Sequence, residues 1–208
     1  MPRISIRNLI IALLGLAVCA SLVCAYTAHE VKDISESVLR LHIVANSDSA
    51  ADQRLKLKVR DEVIKRCSPL FKGCKSAQQA QVAAEENIEF ITKTADRVIR
   101  ENGFDYTAEC RIGKCSFPTK TYKSASGGVS LPRGEYSAVN ICLGNAEGQN
   151  WWCVMYPPLC FVNGVASISD ETNDMLQSEL SQSEYELITD SEKQSVKIRF
   201  KIAELLGK

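Results

Sequence analysis

The sequence predicts an α+β fold: a single domain with a mixed or antiparallel sheet and helices packed on one face, preceded by one N-terminal signal or anchor helix. Strand-like apolar runs stand near both ends of the domain, at residues 38–45 and 196–202. Helical stripes lie between them, in the first half of the chain. Turns rich in glycine and proline separate the apolar runs of the second half.

The amino terminus has the pattern of an export signal. Arg3 and Arg7 precede an uncharged, apolar run over residues 9–28, and the next charged residue is Glu30. This pattern is typical of a secretory signal, or of an uncleaved anchor, which needs about 20 apolar residues. Cleavage after Ala25 and retention as an anchor are both open. The predicted organisation is a signal peptide or membrane anchor over 1–28, a linker over 29–37 and one extracytoplasmic domain over 38–208.

Apolar periodicity and turn residues predict the elements of this domain. Ser49 is placed to cap a first helix over residues 50–66, because a serine oxygen accepts a backbone N–H bond at a helix start. Pro69 and Gly73 then interrupt the chain. The further elements that we expect are a helix over 77–102, strands over 104–117, 120–123 and 136–143, a helix over 170–180 and a strand over 196–202.

The charge balance argues against nucleic acid as a partner. Lysine and arginine total 25, and aspartate and glutamate also total 25. Nucleic-acid-binding domains carry a basic patch or stripe, which this sequence lacks. A locally basic stretch surrounds the first predicted helix. Its charges fit a solvated helix face, and attraction to anionic lipid or to an acidic receptor loop is the alternative. The basic residues of this stretch are Arg40, Arg54, Lys56, Lys58 and Arg60.

Nine cysteines occur in the chain, and seven of them follow the apolar run. An odd number leaves at least one thiol unpaired within the chain. No Cys-x-x-Cys spacing is present and the only histidines are His29 and His42, so we expect no metal or cofactor. Cys153 and Cys160 could form a disulfide, because an exported chain can meet an oxidising compartment. The alternative is that all seven are reduced, buried groups.

The segment QNWWCVMYPPLCF, residues 149–161, is the densest aromatic stretch of the chain and holds both tryptophans. Its proline pair prevents a regular helix or a central strand. Large rings contribute much of the energy of both protein cores and protein interfaces. Neighbouring residues of a strand point to opposite faces, so at most one of Trp151 and Trp152 is easily buried in an ordinary core. The segment is therefore either a core element or a surface for a partner.

A polar cluster of His42, Asn46 and Asp48 raises the question of catalysis. With Cys153 or a serine it would resemble a nucleophilic triad, but no G-x-S-x-G motif is present. Residues 46–49 more simply form a strand-to-helix turn whose short polar side chains accept backbone N–H bonds. We therefore expect no catalytic residue and no enzymatic activity.

Several long motifs of the chain resemble those of the stage II sporulation protein R family of endospore-forming bacteria. The similarity extends over residues 38–162 and is weak after 163. Arg133 stands where the family pattern has a small residue. The motifs are LRLHIVANSDS at 39–49, RLK at 54–56 with RD at 60–61, FPTKTY at 117–122, LPRGEYSAV at 131–139 and NWWCVMYPPLCF at 150–161.

This resemblance implies a signalling protein that is made in the forespore. It would be secreted into the intermembrane space, or anchored to the forespore membrane facing that space. There it would activate the membrane-embedded aspartic protease of the mother cell, which processes the pro-sigma-E precursor. With this role in mind, we expect a partner-binding surface formed by Trp151, Trp152, Tyr156, Phe161, Lys120 and Tyr122.

Two other functions remain as alternatives at this point. One is an exported cell-envelope hydrolase or peptidoglycan-binding domain, whose aromatic rings would stack on sugars. It would need paired carboxylates or a nucleophile, and the sequence offers neither in a recognised pattern. The other is a passive scaffold, whose removal would leave processing of the sigma precursor intact.

Overall fold

The computed structural model describes residues 6–124, 127–159 and 170–189. A short 3₁₀ helix, Ser68–Phe71, follows the second α-helix. The helices are α1 Ile6–Glu36, α2 Ala50–Cys67, α3 Ala77–Glu86, α4 Ile88–Glu101, α5 Asp170–Glu179 and α6 Gln182–Thr189. The strands are β1 Leu39–Val44, β2 Ala108–Phe117, β3 Lys120–Ser124, β4 Gly127–Leu131, β5 Gly134–Leu143 and β6 Asn150–Tyr156.

Four strands form a mixed sheet in the order β2-β5-β1-β6. Strand β1 pairs in parallel with β5 and antiparallel with β6, and β2 pairs antiparallel with β5. Strands β3 and β4 form a separate two-stranded hairpin. The α+β class and the mixed sheet predicted from the sequence are confirmed. Within the described residues β6 is an edge strand, and it ends directly before the proline pair that would interrupt a central one.

The three helices α2, α3 and α4 cover one face of this sheet. Ser49 caps α2 as predicted, because its side chain accepts a hydrogen bond from the backbone N–H of Asp52. The prediction of one helix over residues 77–102 is wrong: α3 ends and α4 begins at Asn87, where the backbone leaves the helical conformation at φ −113° and ψ 17°. The Asn87 amide donates to the Ala83 carbonyl and so satisfies the end of α3.

The other face of the sheet is also covered. The C-terminal end of α1, the β3–β4 hairpin, α5 and α6 contribute to a second apolar cluster that includes Ile34, Phe117 and Leu131. The sequence predicted helices on one face, and the structure adds this second layer. The sequence predicts a turn that includes Gly127 and Gly128, whereas in the structure these two glycines begin strand β4. The strand predicted over 196–202 lies outside the described residues.

Helix α1 joins an exposed apolar segment to the domain. Among the described residues, Ile6–Val23 is the one helical segment long and apolar enough to cross a membrane, and none of it is buried in the structure. The end of the same helix packs on the domain, where Ile34 is fully buried. Residues 29–36, predicted as a linker, are thus the last turns of α1, because Ile34 contributes to the second core. The exposed apolar part suits a signal or anchor.

Arg40 on the central strand β1 is fully buried between aromatic rings. Its guanidinium carbon lies 4.0 Å from the ring centre of Phe117 and 4.7 Å from that of Tyr136. Its Nη2 donates to the Tyr122 hydroxyl at 2.8 Å and its Nε to the Cys153 carbonyl at 3.4 Å. No described carboxylate lies within 4.0 Å of this guanidinium, so ring faces and neutral acceptors stabilise the charge.

We predict that Arg40→Lys lowers the free energy of unfolding by about 2 kcal/mol. A lysine keeps the charge but loses the flat stacking area and the forked donor geometry, and its compact ammonium is harder to desolvate. The matched control is Arg111→Lys on β2, whose side chain is exposed, and which should change stability by less than about 0.5 kcal/mol. Urea denaturation of the detergent-solubilised chain measures both. Equal stability of the two variants would contradict this account of Arg40.

Candidate functional site

A groove of 460 Å³ opens between helix α2 and strand β6. This volume lies within the range of roughly 300–1,000 Å³ that is usual for ligand sites. Three of the residues predicted to bind a partner, Lys120, Trp151 and Trp152, line it. The remaining lining residues are Gln53, Arg54, Lys56, Leu57, Gln149 and Asn150.

The two tryptophans of the groove are held by opposite faces of the sheet. Trp151 pairs with Ile43 across the β1–β6 ladder and packs against the first core. The guanidinium carbon of Arg60 lies 4.3 Å from its ring centre, a cation–π contact that fixes the ring from the side of α2. The indole nitrogen of Trp151 is buried without a hydrogen-bond partner. Both tryptophan side chains are half-buried.

Trp152 is held from the other face of the sheet. Its ring stacks on His42 with ring centres 4.0 Å apart and planes 5° from parallel. The Phe117 ring meets it edge-on at 4.6 Å. Each tryptophan therefore has one side packed against the domain and still lines the groove. The sequence left a core element and a partner surface as alternatives for this segment. In the structure each tryptophan packs against a core and also lines the groove.

The groove is positively charged. Arg54 is exposed and Lys120 is half-buried, and neither makes an ion pair within the described part of the chain. Lys56 is only 4% exposed, although its side chain ends in an ammonium group. That group donates to the Gln53 side chain at 2.7 Å and to the Gln149 carbonyl at 2.9 Å. Burial lowers the pKa of Lys56 and is the largest influence on it, ahead of the opposing attraction of Asp48.

Asp52 lies in the first turn of α2, and its buried carboxylate is bonded to the turn that joins β1 to α2. It accepts hydrogen bonds from Asn46 and Ser47 on one oxygen, and from the Tyr106 hydroxyl at 2.6 Å on the other. Burial alone would raise its pKa, but these bonds together with that of Ser49 outweigh burial and lower the pKa to about 2. The turn predicted over residues 46–49 is thus built around an ionised carboxylate.

The same turn holds the loop that leads into β6. The Asn145 backbone N–H donates to the Asn46 side chain at 2.9 Å, and the Gln149 backbone N–H donates to the Asp48 carboxylate at 2.8 Å. Gly148 lies so close to the turn that a Cβ there would meet the Ser47 carbonyl oxygen at 2.3 Å. Only a glycine fits this approach. The turn therefore fixes Gln149 and the start of β6 relative to α2.

The structure does not bring every predicted partner-binding residue into the groove. Tyr156 is 2% exposed in the first core, and its hydroxyl donates to the Cys74 carbonyl at 3.1 Å. Tyr122 packs on the second core and accepts the hydrogen bond of Arg40. These two side chains stabilise the fold, so we do not include them in the proposed binding surface. Phe161 lies outside the described residues.

Cys153 is disulfide-bonded in the structure. Its proposed partner, Cys160, lies outside the described residues, so that pairing stays a prediction. Cys67, Cys74, Cys110, Cys115 and Cys142 are free thiols. Among the described residues no group of three histidine, cysteine or acidic side chains could hold a metal ion.

His42 does not form the triad considered from the sequence. Asp48 is bonded to the backbone of Gln149, and the imidazole lies instead between two amide side chains, 3.1 Å from Asn140 Oδ1 and 2.6 Å from Asn150 Oδ1. The Cys115 sulfur is 3.5 Å from His42 Nδ1. Burial raises the pKa of the Cys115 thiol, whereas a nucleophilic cysteine needs a lowered pKa. This geometry favours a structural role for His42 as the stacking partner of Trp152.

Comparison with known proteins gives the family. The model of the stage II sporulation protein R family matches residues 35–166, more than half of the chain. The chain belongs to this family. Stage II sporulation protein R of Bacillus subtilis (strain 168) is 39% identical over 130 residues, which are 62% of this chain and 56% of that relative. The matched stretch thus spans little more than half of the relative's length. No solved structure matches the chain.

The family match covers the whole groove, from Gln53 on α2 to Trp152 on β6. It also includes the turn at residues 46–49 and the loop that this turn holds. The part of the chain that builds the groove thus lies within the region that matches the sporulation family.

We predict that Asp52→Asn lowers the free energy of unfolding by about 2 kcal/mol at neutral pH, because the folded pKa of Asp52 lies below its unfolded value. The stabilisation is present above about pH 4 and is lost as the pH falls towards about 2. The wild type and the variant should therefore converge in urea denaturation over that acid range. The control is Asp105→Asn, an exposed site. A constant difference between wild type and Asp52→Asn at every pH would contradict this assignment.

We predict that Trp152→Ala costs about 2 kcal/mol of stability. That is less than the roughly 3–5 kcal/mol for a fully buried ring, since one side of Trp152 faces the groove. Trp152→Phe should recover part of the loss by restoring a ring over His42. Far-UV circular dichroism during urea denaturation measures the change, with Phe90→Ala on α4, 42% exposed, as control. No loss in Trp152→Ala would mean that the ring does not pack as described.

Proposed function

We propose that this protein is the exported signal that activates the mother-cell membrane aspartic protease, the enzyme that processes the pro-sigma-E precursor. The forespore would make it and pass it through the forespore membrane, and the domain would act in the intermembrane space. The proposal extends the sporulation role of the family to a particular step and a particular partner.

The amino-terminal segment supports export. The apolar part of α1 is exposed over Ile6–Val23, and the basic residues Arg3 and Arg7 stand at its start in the sequence, as in signal sequences and anchors. Cleavage after Ala25 would leave the end of α1 on the domain, where Ile34 is buried. Both a cleaved and an anchored form therefore retain the contact that closes the second core. Either form would present the groove outside the forespore membrane.

The observation on which the proposal rests most is the pair of half-buried tryptophans in the groove. Trp and Tyr are enriched among the residues that dominate interface energy. Contacts with Arg60 and His42 hold the two rings before any partner arrives. A binding surface that is already ordered loses little conformational entropy on docking. Such a surface suits recognition of a protein partner.

Activation also requires a preference between two states of the partner. A ligand that binds both states of a receptor equally well shifts no equilibrium, however tightly it binds. We propose that the groove binds the active state of the protease more tightly than the inactive state. The protein itself would then need no catalytic group.

The test is reconstitution in a non-sporulating host that carries the membrane protease and its tagged sigma precursor. We expect cleavage of the precursor when the chain is exported, and none when a form without residues 6–23 stays in the cytoplasm. Immunoblotting of the precursor and of this chain measures the result. Cleavage with the retained form, or no cleavage with the exported form when all three proteins are present, would contradict the proposal.

A further inference from the structure

The unusual feature of the groove is a buried cation without an ionic partner. Lys56 is 4% exposed, and its ammonium is bonded to a side-chain amide and a backbone carbonyl. No described carboxylate lies within 4.0 Å of it. Removing a charge from water is costly unless the charge is paired and hydrogen-bonded. Lys56 has the hydrogen bonds and lacks the paired charge.

The other charges of the groove have the same sign. Arg54 on α2 and Lys120 on β3 are the remaining charged residues of its lining, which contains no acidic side chain. Asp48 is the described acidic group that attracts the Lys56 ammonium, but it lies outside the groove lining and more than 4.0 Å from that ammonium. Three cations in one concave site whose lining has no acidic side chain make it complementary to an anion.

The rest of the lining suits a peptide. Gln149 and Asn150 bring amide groups, which match the donors and acceptors of a backbone, whereas the Gln53 amide is already bonded to Ser47 and Lys56. The two tryptophan rings are flat and apolar, and they pack well against aliphatic side chains and peptide planes. Strand β6 is also an edge of the described sheet, along which an extended chain can lie. A phosphate polymer would use the cations but has no need of the amides and rings.

We propose that the groove binds an extended, acidic peptide segment of the partner, with one carboxylate on Lys56 and further carboxylates at Arg54 and Lys120. This inference rests on the proposed function, because it takes the segment to belong to the extracytoplasmic part of the protease. It adds the chemistry that this segment must have. A bound carboxylate supplies the counter-charge that Lys56 lacks, so part of the cost of its burial is offset on binding.

The two tryptophans report on the groove directly, since they are the only tryptophans of the chain and both line it. We expect a short peptide of alternating glutamate and alanine to produce a saturable change in tryptophan fluorescence of the full chain in detergent. The same peptide with glutamine in place of glutamate should produce none. Added salt should weaken the effect. Equal binding of the glutamine peptide would overturn the proposal.

Matched lysine variants on one helix locate the site. Lys56→Met should weaken binding of the glutamate peptide about tenfold or more, as expected for a buried charge contact. Lys58→Met should leave it unchanged, because Lys58 is exposed outside the groove lining and donates to Asn102. Circular dichroism checks that both variants are folded. Unchanged binding by Lys56→Met, or a chain that binds polyglycerol phosphate and not the glutamate peptide, would overturn the proposal.

A charge-reversal experiment in the reconstituted host separates this inference from the proposed function. The double variant Arg54→Glu, Lys120→Glu should lose precursor cleavage, whereas Lys114→Glu, exposed on β2, should keep it. Equal cleavage by the double variant and the wild type would overturn the acidic-peptide inference and leave the signalling function standing. Failure of the exported wild type to produce cleavage would instead overturn the signalling function.

Discussion

The ionised carboxylate of Asp52 is the constraint on which the groove depends. It is 5% exposed, and four polar side chains converge on it: Asn46, Ser47 and Ser49 from the turn after β1, and Tyr106 from the segment before β2. Without them a buried carboxylate would be protonated or would reach water. With them it fixes the start of α2 against the end of β1. The same turn then holds the loop before β6. The turn at residues 46–49 therefore positions both α2 and β6, the two elements that border the groove.

Two of the buried cations of the domain, Arg40 and Lys56, show how different environments give a charge different roles. Arg40 lies between Phe117 and Tyr136 and has no opening to solvent. Its charge is spread over a flat group and is met by ring faces. Lys56 has a compact ammonium that no ring covers, and it lines an open groove. The first cation is enclosed by the fold, with its buried Nη1 left without a hydrogen-bond partner among the described residues, whereas in the proposed complex the second gains a counter-charge from the bound peptide.

The fold class and the mixed sheet could be predicted from the sequence because strand and helix periodicity are local properties. The cap at Ser49 is equally local. The break at Asn87 was missed because the apolar stripe continues through it, and β4 was missed because its glycines are typical of a turn. Strand β4 pairs with the preceding strand β3, but it buries Val129 and Leu131 in the second core, to which remote parts of the chain contribute. The break at Asn87 is local, since its amide bonds to Ala83, and the continuous apolar stripe concealed it.

The candidate site shows the same division between local and remote information. Composition alone marks the two tryptophans, but the burial of Lys56 depends on the Gln149 carbonyl, 93 residues away. In the sequence Lys56 is one basic residue of a solvated helix face. The structure turns that face into a groove only because the loop before β6 folds over it. Since both rings and the ammonium are already held in place, an activator of this design would change little on binding. In the proposed activation, the conformational change would therefore occur in the receptor.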